Sequence, residues 1–176
     1  MDDPGRFERE IGELRDRQAI ADCLAAYAQA IDRRDDALLV SLFKPGERLH
    51  YGVFDGSIEQ LLAHRSAATG LVATHHHVGN IRIRLDQGGS ARSIAYLNVV
   101  HRAQRGEALV DEMIRARYLD RLVKLQGTWR FAERTLVYDW SRTTPADPVP
   151  WWETMPGAQV RTGRADPTDL AHGFLD

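Results

Sequence analysis

At 176 residues, with 43% hydrophobic and 27% charged side chains, the chain is long enough for one well-cored domain and ordinary in composition. A net charge of -2 excludes a strong global field that would recruit nucleic acid or an anionic membrane surface. A lone Cys23 excludes an intrachain disulfide, no run approaches a membrane span, and the acidic N-terminus lacks the apolar core of a signal peptide, so a cytoplasmic protein is expected.

In chain order, residues 7–33 read as helical, with Asp16 as N-cap of a main helix. Ile20, Leu24, Tyr27 and Ile31 recur there at steps of three and four. That stripe points Tyr27 toward protein, whereas Asp32 lies about 100° round from its centre, at the edge of any pocket. Asp35 is placed to cap a second, short helix carrying Leu38, Leu39, Leu42 and Phe43, which Lys44-Pro45-Gly46-Glu47 ends. A short strand around residues 49–53, a turn at Asp55-Gly56 and a third helix capped by Ser57 follow.

From residue 71 the texture changes to long β-branched and aromatic segments: 71–86, 91–104, 108–124 and 128–142. Gln87-Gly88-Gly89, Arg105-Gly106 and Gln126-Gly127 separate them as hairpin turns. Four meandering antiparallel strands after a helical half imply an α+β fold. Helices cupping a strongly curved sheet form a cone whose cavity suits a small apolar ligand. Residues 143–176, rich in Pro and Gly, read as an arm rather than a second domain. Trp151-Trp152 and Phe174-Leu175 suggest that it packs over the cavity mouth or on a neighbouring subunit.

Thr74-His75-His76-His77-Val78-Gly79-Asn80 is the richest stretch chemically. A His meeting an Asp and a Tyr in a dry pocket moves protons without metal or organic cofactor. Alternation leaves the facing residue open: His76 shares parity with Val78, Asn80 and Arg82, while His75 and His77 share it with Ile81, Ile83 and Leu85. A bulge near Gly79 would bring His76 onto the apolar face. His75 and His77 offer a two-residue chelate, but no third ligand is placed beside them, so no metal is expected. Asp32 as a solvated helix-end acid and Tyr27 as plain core packing stand as the alternatives to catalytic roles. Tyr96, Asn98, Arg117, Tyr118 and Trp140 are candidates to line the cone and hold substrate, whereas His64 and His101 are expected to face solvent.

Several segments, taken in order, carry a resemblance. They are Tyr27 with Ala30-Ile31-Asp32-Arg33-Arg34-Asp35, the His75–His77 run with Val78-Gly79-Asn80, Arg117-Tyr118-Leu119-Asp120-Arg121, Gly127-Thr128-Trp129-Arg130-Phe131, and Tyr138-Asp139-Trp140. Over residues 10–142 the chain resembles the SnoaL-like branch of the nuclear transport factor 2-like superfamily, the branch of scytalone dehydratase and bile acid 7α-dehydratase. The resemblance implies an Asp closing the first helix, Asp32, orienting a His on the sheet, His76, with Tyr27 hydrogen-bonding substrate. It departs from the scytalone enzyme at the second His of the following strand, where Leu97 lies beside Tyr96 and Asn98. The implied activity is a cofactor-independent lyase or isomerase acting on a small hydrophobic ring compound such as a polyketide, steroid or aromatic breakdown intermediate. The implied assembly is a homodimer or homotrimer. The alternative is a non-catalytic ligand-binding or structural subunit, as in ring-hydroxylating dioxygenases.

Overall fold

The computed structural model describes residues 4–67, 70–157 and 159–175. Helix α1 runs unbroken over Pro4–Arg33, so Asp16 is no N-cap. Its carboxylate instead accepts from Lys124 Nζ at 2.6 Å and Trp129 Nε1 at 2.9 Å, tying the helix to the sheet. The predicted stripe is the face that α1 buries: Ile20, Leu24 and Tyr27 are in the core, and Ile31 packs at its edge. Arg34, with φ +55, ends the helix in the left-handed region. Asp35 then caps α2 (Asp36–Ser41) as expected, its Oδ1 accepting Leu38 N–H at 3.0 Å.

β1 spans Phe43–His50, earlier and longer than the predicted strand. Lys44-Pro45-Gly46-Glu47 reads as a loop, yet it lies inside this strand at an irregularity, because Phe43 and Arg48–His50 pair in parallel with the distant last strand. β2 (Asp55–Gly56) folds back on Leu49 and His50. α3 (Ile58–Ala67) starts with a capping box: Ser57 Oγ accepts Gln60 N–H at 3.3 Å and Gln60 Oε1 accepts Ser57 N–H at 2.9 Å. Buried Glu47 adds a third cap, accepting Ile58 N–H at 2.6 Å.

β3 (Leu71–Asp86), β4 (Ser90–Arg105), β5 (Ala108–Leu125) and β6 (Thr128–Pro145) match the predicted segments to within three residues at each end. Gly88, Gly89, Gln126 and Gly127 all take positive φ in the hairpin turns. The mixed, open sheet has the order β2-β1-β6-β5-β4-β3. The helices cover one face, where Ala91, Ala95, Leu97, Val99, Ala116, Tyr118, Leu122, Trp129 and Phe131 meet α1. Beneath them Arg134, fully buried, donates from Nε and Nη2 to Asp120 at 2.7 and 3.0 Å. The rings of Tyr27, Tyr118 and Phe131 surround its guanidinium, with centroids 3.9–4.1 Å away. The other face of β4 and β5 is uncovered and carries Ile94, Tyr96 and Leu119 in the open.

The arm after β6 contains one 3₁₀ turn, Trp151–Thr154. It returns to the α1–α2 junction through polar contacts: Arg33 Nη1 donates to Arg164 O at 3.2 Å, and Asp169 lies 3.5 Å from the same nitrogen. Of the apolar residues expected to pack, Trp152 is half-buried, whereas Trp151, Phe174 and Leu175 are exposed in the single chain.

Candidate active site

Asp32 is only 6% exposed, although its helical angle places it off the apolar stripe. The reason lies in β3. As the sheet's edge strand, β3 packs along α1, and Asp32 closes that junction with three hydrogen bonds. Thr74 Oγ1 donates to Oδ1 at 2.8 Å and His76 N–H to Oδ2 at 2.7 Å, while His76 Nδ1 lies 2.6 Å from Oδ1. Burial and a position at the helix C-terminus both oppose ionisation. The hydrogen bonds from His76 and Thr74, with the imidazole's charge, outweigh that and hold the carboxyl below its ordinary value. The carboxylate is therefore the acceptor, and His76 Nδ1 carries the proton.

Register resolves which histidine faces inward. From Ala73, β3 pairs regularly with β4 up to Gly79–Tyr96, then resumes at Arg82–Ile94 after an irregularity at Asn80 and Ile81. Asn80 takes φ +47 there. That bulge reverses the parity, so Thr74, His76 and Val78 share the covered face with Ile83 and Leu85. His75 and His77 face outward, and no group of three metal-ligating side chains occurs among the described residues.

His76 borders a cavity of about 280 Å³ whose walls include Tyr27, Ile31, Tyr51, Leu61, His101, Tyr118, Leu136 and Tyr138. Tyr27 is buried, and its hydroxyl meets that of Tyr51 at 2.8 Å. Burial, reinforced by the neighbouring phenols, raises the Tyr51 hydroxyl well above its usual value, and Tyr118 is raised likewise. Both remain protonated donors at any physiological pH. Ala165 brings the arm to this cavity.

Of the expected substrate contacts, only Tyr118 borders the cavity. Tyr96, Asn98 and Arg117 alternate with the buried residues of β4 and β5 and so project from the uncovered face. Arg117 is engaged there with Asp139 at 2.6 Å. Trp140 lies beyond a second bulge, opposite Arg115, whose guanidinium stacks 5.2 Å from its ring. That bulge takes Trp140 away from the cavity.

One of the two expectations about histidines fails, whereas His64 is exposed, as expected. His101 does not face solvent but stands 5.7 Å, centroid to centroid, from His76. Burial, then the neighbouring His76, pushes its pKa below the ordinary imidazole value. His64 also borders the cavity, tilted against Phe54. The second imidazole, sought at Leu97, is supplied four residues further along β4. The sequence carried a signal for it: His101 shares parity with Ala91, Ala95, Leu97 and Val99, the buried set. Tyr51 likewise shares parity with buried Leu49.

Helices cupping an open, bent sheet around an Asp–His pair define an α+β cone of the nuclear transport factor 2-like type. Residues 12–135 match the model of the SnoaL-like domain, and the chain belongs to that family. No curated protein matches the chain. Among solved structures it is similar to a protein of Novosphingobium aromaticivorans provisionally named a scytalone dehydratase. The two share 24% identity over 77% of this chain and 90% of that one, with a TM-score of 0.65. A type 2 hexachlorocyclohexane dehydrochlorinase superposes with a TM-score of 0.69 at 19% identity, covering 85% of this chain and 99% of that one. The β subunit of an aromatic-ring-hydroxylating dioxygenase, provisionally assigned in N. aromaticivorans, gives 0.61 at 21% identity over 75% and 94%. A dehydrochlorinase and a dioxygenase subunit thus share one fold.

Proposed function

We propose that this protein is a cofactor-independent lyase or isomerase of the dehydratase kind, with His76 as general base. The reading is carried by the 2.6 Å contact between His76 Nδ1 and buried Asp32 at the wall of an apolar cavity. With Nδ1–H donated to the carboxylate, Nε2 keeps the lone pair that removes a proton from a carbon beside a carbonyl or other activating group. The C–H electrons become the new double bond, and a leaving hydroxyl departs. His101, neutral because burial disfavours its charge, stands beside His76. From there it relays a proton to the departing oxygen or the rearranged carbon. The Tyr27–Tyr51 pair uses one O–H internally and offers the other to the developing oxyanion.

The cavity is at the small end of ligand sites, which favours a one- or two-ring compound over a steroid skeleton. Exposed Ile94, Tyr96 and Leu119 on the uncovered sheet face support a homodimer or homotrimer. Light scattering of the native chain against Tyr96→Lys tests that assembly, and a wild-type monomer would refute it. The alternative, a non-catalytic subunit, gives no reason for a buried carboxylate to orient an imidazole at a cavity wall.

Proton abstraction can be followed on surrogate compounds. Cyclic ketones and β-hydroxy ketones are incubated with the protein in deuterated water, and carbon-bound exchange or elimination is followed by NMR. His76→Ala and Asp32→Asn should each lose at least about a hundredfold in rate while keeping the native melting transition. Full turnover in both variants would refute the assignment.

A further inference from the structure

The cavity that His76 borders also has basic residues in its lining. Arg34, His64 and Arg65 border it, and no carboxylate side chain does. Arg34 is presented by the left-handed residue that ends α1 and has no ion-pair partner among the described residues. Arg65, on α3, donates from Nη2 to Asp36 at 2.5 Å, whereas its Nη1 is buried with no acceptor. A guanidinium nitrogen out of water without an acceptor costs free energy that an incoming anion relieves. The planar fork suits a carboxylate better than a neutral carbonyl. Much of the remaining lining is apolar, including Ile31, Leu61, Leu71 and Leu136.

We propose that the substrate is a ring carboxylic acid, its carboxylate received by Arg65 with Arg34 attracting it at the mouth, and its ring lying toward His76. This rests on the reading of the cavity as the substrate site. One end of the ligand is then anchored as an anion while the reacting carbon meets the imidazole. The anchoring charge is fixed before and during proton transfer, so Arg65 contributes chiefly to binding.

Isothermal titration of the full chain with 2-naphthoate and 2-naphthamide, which differ in charge but hardly in shape, tests the proposal. The acid should bind at least about tenfold tighter than the amide, the size expected of a charge-assisted bond. That preference should shrink to about twofold or less in Arg65→Gln and fall partway in Arg34→Gln. Arg65→Lys, which can keep the contact with Asp36, controls for folding, and Arg34→Gln lies at the cavity mouth and leaves the core untouched. Equal affinities, no saturable binding of the acid, or a preference unchanged in both Gln variants would overturn the proposal. These outcomes are read from binding alone. Loss of the acid preference leaves the proton-transfer reading standing, whereas full turnover in both His76→Ala and Asp32→Asn removes that reading whatever the titration gives.

Discussion

Arg134 is the residue on which the site's interior rests. Its charge is buried against the expectation for arginine, and burial opposes it, but the Asp120 carboxylate outweighs that and keeps it protonated. The three surrounding rings take the place of an acceptor for Nη1, which has none. Arg134→Met should therefore leave Asp120 uncompensated and cost about 3–5 kcal/mol in urea unfolding, while Arg134→Met with Asp120→Leu should recover much of that loss. A double variant no more stable than the single one would contradict this account. Tyr51→Phe removes one partner of a buried hydroxyl pair. It should cost about 1–3 kcal/mol in urea denaturation.

Among elements, β3 decides most. Its bulge lets one strand present His76 and Ile83 to the same face, which regular alternation forbids. Asn80 holds a left-handed conformation that Asn tolerates and β-branched residues do not. Asn80→Val should cost about 1–2 kcal/mol and depress activity, and Asn80→Gly should be close to neutral, both read by thermal unfolding and turnover. The four long strands were legible because apolar alternation between Gly turns is a local signal. Only the end of β1 was, since its pairing partner lies far along the chain in β6 and its own Pro-Gly step reads as a break.

For the whole molecule, groups that hold protons less readily in the folded state weaken stability in acid. His101 binds its proton less readily folded than unfolded, so the unfolded chain holds more protons once pH falls below the ordinary value of 6.5. The associated stability is present above that pH and is lost as pH drops toward the folded value. Asp32, also lowered, adds a second loss that begins below 3.8, its ordinary value. Melting temperature should thus fall in two stages on acidification, and His101→Gln should flatten the first while leaving the second. An unchanged first stage in that variant would show that His101 is not the group responsible.

Legible from the residues were the helix stripe with Tyr27, the Asp35 and Ser57 caps, the four hairpin-linked strands and, through the resemblance, the pairing of Asp32 with His76. Each is a local pattern or an order of segments. Folding in three dimensions was needed to turn Tyr96, Asn98, Arg117 and Trp140 away from the cavity and to bring His101 and Tyr51 into it. It also gave Asp16 a tryptophan to hold in place of a helix to cap. The reason is register. Register shifts along β3 and β6 and one parallel pairing choose which side of the sheet each side chain takes, and the partners that fix them are set by the tertiary fold.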